Sequence, residues 1–365
     1  MLRILENSEN SGRRYKMKFT KMLKRVLSLS LMTSVFMLGG CAGAPENKTD
    51  EKIVFKSLLL PHFESGEMTG DFGGEAQLSY EEYFMESEKI TLKSGYELYV
   101  NRELGTALCV TGSGKTNMTA CLTALLSDSR FDFTNAKIIT YGCAGCSAGA
   151  YTMGDTCVIT AACDYDLGHT ADARDMQDKE TDKLWFYDES FVDVSHKKLN
   201  RELCDRVYEL VKDIPMETTE LTRKVMAECF DNAEWAVRDP KVLKGTSMSS
   251  DNFWKGEHGH NKAIQIAEFY GCEDPYAMTE MEDVCAAVVA EQFGLLDNLI
   301  IVRTGVNSDV FVGTEGPESL WGNNLNFNNT VNEVNSETLD IFETGMNNMF
   351  KVIKKINDAV LDGTL

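Results

Sequence analysis

Short apolar runs alternate along this chain with longer stretches whose apolar residues recur every three or four positions. The runs predict strands at Lys52–Leu60, Glu97–Arg102, Thr106–Thr111, Ala136–Tyr141, Thr156–Ala161, Lys241–Ser247 and Asn298–Arg303. The helical period predicts helices at Asn117–Ser127, Lys197–Lys212, Thr218–Asn232, Lys262–Tyr270, Glu280–Gly294 and Glu337–Asp362, with Pro215 parting the second from the third. Strands alternating with helices predict an α/β domain with a mixed or mostly parallel sheet. No internal repeat and no break in composition interrupts residues 53–365, so they read as a single domain.

The first residues carry a different pattern. Eight Lys and Arg crowd residues 1–25, an apolar run follows from Val26 to Leu38, and Gly39-Gly40-Cys41 closes it. A basic flank, a short apolar core and small residues predict a secretory signal over residues 1–40, with Met17 or Met22 as the start of translation. Leu38-Gly39-Gly40-Cys41 resembles a bacterial lipobox, so Cys41 is expected to carry lipid. The run is shorter than the ~20 residues that span a bilayer. Residues 41–52 are small and polar and suit a tether. These features predict a protein outside the cytoplasm, held to a membrane surface through Cys41, each buried methylene contributing ~0.8 kcal/mol. No other stretch approaches spanning length, which argues against a pore formed by this chain alone.

Charge narrows the ligand class. Without residues 1–40 the chain keeps 28 Lys and Arg against 55 Asp and Glu, a net charge of −27. Such a surface repels nucleic acid, so small neutral ligands are the expected partners. Ten cysteines remain besides Cys41, several inside apolar segments where a thiol packs as a small hydrophobe. No His or Cys cluster has the spacing of a metal site, and no cofactor is expected.

Five motifs carry candidate chemistry. Val110-Thr111-Gly112-Ser113-Gly114-Lys115-Thr116 has Cys109 where a phosphate-wrapping loop needs its first glycine. The turn can still present backbone N–H groups ahead of Asn117. Tyr141-Gly142-Cys143-Ala144-Gly145 is a glycine-rich strand exit where main chain can approach a flat ring. Ser247-Met248-Ser249-Ser250-Asp251-Asn252-Phe253-Trp254 ends another strand. Glu280-Met281-Glu282-Asp283 opens a helix, where charge also complements the dipole. Arg303-Thr304-Gly305-Val306-Asn307-Ser308-Asp309 ends a strand. Polar groups at strand ends and helix starts meet at the edge of an α/β sheet where ligands bind. The loop after the first strand adds Glu64 and Gly73-Gly74-Glu75-Ala76.

In this order the motifs resemble the nucleoside phosphorylase/nucleosidase superfamily. Residues 53–325 resemble its purine nucleoside permease branch. The resemblance implies a nucleoside phosphorylase-like mixed central sheet flanked by helices, and a purine nucleoside as substrate. It implies that Gly142, Cys143, Ala144 and Gly145 touch purine and ribose, that Phe253 stacks on the base, and that Met281 packs against the sugar. Glu282 would accept the 2′ and 3′ hydroxyls. Glu75, or failing it Glu64, would activate water, and Asn307 with Asp309 would stabilise the departing base. His169 is a candidate pocket residue. Three departures stand out. Cys143 replaces a serine, Thr140 stands where phosphorylases often carry a phosphate-binding arginine, and Asn307 takes the place of a proton-donating aspartate. The first expectation is therefore hydrolysis of the glycosidic bond. The second is nucleoside binding in support of a separate transporter, and the third is phosphorolysis. The superfamily also implies a homo-oligomer.

Overall fold

The computed structural model describes residues 51–71, 73–170, 185–186, 192–310 and 336–365. The expected signal segment, Cys41 and nearly all of the tether lie outside the described residues.

Among the described residues ten strands form the main sheet. In chain order they are β1 Ser57–Pro61, β2 Glu88–Thr91, β3 Glu97–Asn101, β4 Thr106–Leu108, β5 Lys137–Cys146, β6 Thr156–Asp164, β7 His196–Lys198, β8 Val242–Ser249, β9 Tyr276–Glu280 and β10 Leu299–Ser308. The spatial order is β7-β6-β8-β9-β5-β1-β4-β3-β2, and β10 is bonded to both β5 and β6. Strands β6, β8, β9, β5 and β10 therefore close a ring. The sheet is mixed: β5 runs parallel to β1 and β10, and β8 runs parallel to β6 and β9. The two sets run in opposite directions and meet antiparallel at β5–β9 and β6–β10. β5 and β9 overlap only at their carboxyl ends, with Gly145 opposite Thr279 and Cys146 opposite Met278. That overlap brings strand ends from both directions to one place.

The flanking helices are α1 Gln77–Tyr83, α2 Lys115–Leu126, α3 Arg201–Val211, α4 Glu220–Cys229, α5 Glu257–Phe269, α6 Asp283–Gln292 and α7 Ser336–Leu361. Strands β1 and β6 are buried along their whole length, which explains their unbroken apolar reading. Leu58, Ile138, Ile301 and Val302 share one core with Ala286 and Ala290 of α6 and Val352 and Ile356 of α7. Each large side chain so buried stabilises the fold by roughly 1.5–3 kcal/mol. The ten cysteines among the described residues are free thiols, most of them buried.

Three expectations are corrected. β5 does not stop at Tyr141 but runs on through Cys146, so the glycine-rich segment is strand rather than loop. Gly142 and Gly145 pair with Arg303 and Asn307 of β10, and that pairing overrides their weak strand preference. The helix expected over Lys197–Lys212 begins late. His196–Lys198 instead pairs with β6, and the Asn200 side chain then caps α3 by accepting from the Leu203 N–H at 3.1 Å. Glu280 closes strand β9 instead of opening a helix, and α6 begins at Asp283.

Candidate active site

A cavity of about 500 Å³ opens where the strand ends converge. Glu75, Cys143, Ala144, Gly145, Phe253, Met281, Glu282, Asn307 and Asp309 all line it. Gly142 sits just behind. A Cβ there would lie 2.6 Å from Glu75 Oε1 and 2.7 Å from Arg303 Nη1, so only a glycine lets these two side chains cross β5. Glu64 is elsewhere. Its carboxylate accepts from the N–H groups of Gly74, Ala76 and Gln77 and so holds the start of α1. His169 is exposed and does not line the cavity.

The centre of the site is a guanidinium among carboxylates. Arg303 is 1% exposed. Its Nη2 donates to Asp283 Oδ1 at 2.6 Å, Glu282 Oε2 at 3.0 Å and Glu280 Oε2 at 3.2 Å, and its Nε donates again to Asp283 Oδ1 at 3.0 Å. Burial opposes its charge, but Asp283, Glu280 and Glu282 hold it firmly cationic. Burial, reinforced by Asp283, raises the Glu280 carboxyl. Two helix starts finish the arrangement. Glu280 Oε2 accepts from the N–H groups of Glu282 and Asp283 at the start of α6. Glu282 Oε1 accepts from the Gly114 N–H at 2.7 Å, at the start of α2. The glycine-rich turn thus presents its N–H to a carboxylate of this chain. Lys115 is likewise committed, with its Nζ 3.0 Å from Asp164 and 2.8 Å from Asp166.

Glu75 is held differently. Its Oε2 accepts from the His62 N–H at 2.7 Å and its Oε1 from the Cys143 N–H at 2.8 Å. Burial lifts its pKa to about 7, against the pull of Arg303 and with a push from Glu282. The same burial and Arg303 drive His62 well below its usual value, so its ring is neutral. His62 bridges Thr111 and Thr140 at 3.0 and 3.1 Å. Thr140 is thereby a buried support for His62 and does not line the cavity. Burial, then Glu75, pushes the Cys143 thiol up, so it stays protonated.

The opposite wall carries an exposed aromatic ring. Phe253 is 42% exposed and lines the cavity. Its segment is fixed by Trp254 stacked on Tyr165 at 4.5 Å and by the Gly256 N–H donating to the Asp309 carbonyl at 2.8 Å. The Asp309 carboxylate is fully engaged: Oδ1 accepts from the Ala148 N–H, and Oδ2 meets the Tyr276 hydroxyl and the His260 ring. It anchors the wall. The Asn307 side chain makes no hydrogen bond among the described residues and is open to a ligand. Among the lining residues that the sequence reading did not single out are His62 and Lys255. Neither belongs to a motif, and each becomes notable only through its burial. Among the described residues no group of three His, Cys, Asp or Glu side chains is placed to hold a metal ion.

This architecture is shared with known enzymes. The fold is similar to a 5'-methylthioadenosine/S-adenosylhomocysteine nucleosidase of Helicobacter pylori, with a TM-score of 0.50 and 15% identity over 84% of this chain and 99% of that one. It is similar to the futalosine hydrolase of the same organism, with a TM-score of 0.50 and 15% identity over 84% of this chain and 97% of that one. The fold is thus that of the nucleoside phosphorylases and nucleosidases. A curated relative named "Probable purine nucleoside permease", from Schizosaccharomyces pombe, is 24% identical over 235 residues, covering 58% of this chain and 67% of its own. The family model for purine nucleoside permease matches residues 55–361, and the chain belongs to that family.

Proposed function

We propose that this protein is a purine nucleoside hydrolase working outside the cytoplasm, anchored by lipid on Cys41. The observation that carries the reading is Glu75: a buried carboxylate on two backbone N–H groups, titrating at about 7, in the cavity that also holds Glu282. A base poised near the working pH is what activation of water requires.

In this reading the purine stacks on Phe253 and meets the Asn307 amide. Met281 packs on the ribose. Each oxygen of Glu282 keeps a further lone pair beyond its present bond, so the carboxylate can take the 2′ and 3′ hydroxyls. Ionised Glu75 takes a proton from water as the water oxygen bonds to the anomeric carbon. The glycosidic bond breaks and its electron pair leaves with the base. Glu75 and Glu282 stabilise the positive charge that grows on the sugar.

Phosphate fits this cavity poorly as a nucleophile. Arg303 is taken by three carboxylates, Lys115 by two, and the Gly114 N–H by Glu282. Glu75 and Glu282 would repel the anion, and the remaining lining cation, Lys255, lies on the Phe253 wall. The fold relatives, a nucleosidase and a futalosine hydrolase, are named for hydrolysis. A second reading follows from Asn307, which has no acidic proton, and from the family's name: a lipoprotein that binds nucleosides for a separate transporter. Among the described residues no helix is long and apolar enough to cross a membrane. A homo-oligomer is part of the proposal.

The test is incubation of protein lacking residues 1–41 with inosine and adenosine, with and without phosphate. Base released without phosphate supports hydrolysis. Release only with phosphate makes it a phosphorylase, and saturable binding without release leaves the carrier.

A further inference from the structure

Two residues that line the cavity carry donors that the reaction above does not use. Lys255 Nζ and Trp254 Nε1 are both buried with no hydrogen-bond partner among the described residues, and both residues line the cavity. A buried donor left unpaired costs roughly 1–3 kcal/mol, more when charged. Native folds keep such groups sparingly, and an unpaired one calls for an explanation such as a ligand. The segment that carries them is held in place. The Asp251 N–H donates to Asp166 Oδ2 at 2.8 Å, Trp254 stacks on Tyr165, and the Gly256 N–H is pinned to the Asp309 carbonyl. Lys255 Nζ lies 6.0 Å from the centroid of the Phe253 ring, on the wall where the purine would stack.

We propose that Lys255 is the proton donor to the departing purine, a role that rests on the hydrolase reading above. As the glycosidic bond breaks, its electron pair delocalises into the imidazole ring of the base. The ammonium gives one proton to the second nitrogen of that ring, and the base leaves neutral. Glu75 takes the proton from the attacking water. Solvent then returns a proton to the Lys255 amine and removes one from Glu75, so the cycle closes on water and nucleoside alone. Asn307 can orient the same ring but has no acidic proton. Asp309 faces Lys255 with its carboxylate already bound by Tyr276 and His260. Burial brings the lysine down to about 8, with Asp309 opposing. It is therefore charged at neutral pH and weak enough in its hold to release the proton.

Leaving-group dependence tests this. Wild-type protein, Lys255→Met and Lys255→Arg are compared on inosine and on 4-nitrophenyl riboside, whose phenolate departs without a proton. Inosine binding by calorimetry and thermal unfolding serve as controls on folding. A proton donor predicts that both variants lose ~10²–10⁴-fold in kcat on inosine and less than tenfold on the nitrophenyl riboside. Arginine keeps the charge but not a transferable proton, so its failure to rescue separates proton transfer from simple electrostatics. Equal losses on the two substrates, or rescue by arginine, overturn the proposal. Wild-type protein that turns over neither substrate overturns the hydrolase reading, and the acid role with it.

Discussion

Glu75 and Glu282 line one cavity, yet their surroundings give them different work. Glu282 is held by Arg303 and by the N–H at a helix N-terminus. Glu75 has two backbone donors but no ion pair, and burial dominates, so it keeps its proton up to about pH 7. Glu75→Gln is expected to lower kcat by ~10²–10⁴-fold while inosine binding persists. In the wild-type protein, kcat/KM on inosine is expected to rise with pH up to about 7 and to fall again above about 8, because Glu75 works only when ionised and Lys255 only when protonated. A flat profile between pH 5 and 7 would remove Glu75 from the chemistry. The sequence made Glu75 visible through its Gly-Glu-Ala neighbourhood but left Glu64 as a rival. What parts them is tertiary: Glu64 is consumed by N–H groups at the start of α1. Lys255 stayed invisible for the same reason, since an unpaired buried amine is a property of packing.

Strands and helices place these groups by their ends. Arg303 on β10 ties together Glu280 at the end of β9 and Glu282 and Asp283 at the start of α6. Removing one side of a buried ion cluster costs about 3–5 kcal/mol, because the other side stays buried without a partner. Arg303→Met is expected to lose stability on that scale in urea unfolding. Without the cation, the Glu280 carboxyl, already raised by burial, loses the charge that lowers it, so its folded-state pKa lies still further above its unfolded value. The variant should therefore lose stability as pH rises from 5 to 8 and recover part of it in acid. The alternation of elements, and most of their positions, could be read from apolar runs. The ends could not. β5 continues through glycines because β10 pairs with them, and β9 went unread because the acidic run after it resembles a helix start.

The whole molecule combines a ligand cavity with a strongly acidic body and a proposed lipid on Cys41. Cys41→Ser is expected to move the protein from the membrane fraction to the soluble fraction while its activity on inosine is kept. Continued pelleting of the variant would end the anchoring proposal. The strand ring also sets a timetable. Among the described residues β10 is the last strand made, and it wedges between β5 and β6, which precede it by well over a hundred residues. Until residue 308 has been synthesised, those two strands lack their common neighbour. Pairings between such distant segments form slowly. A ribosome-bound chain stalled before β10 should stay open to protease, and one extended past α7 should resist it.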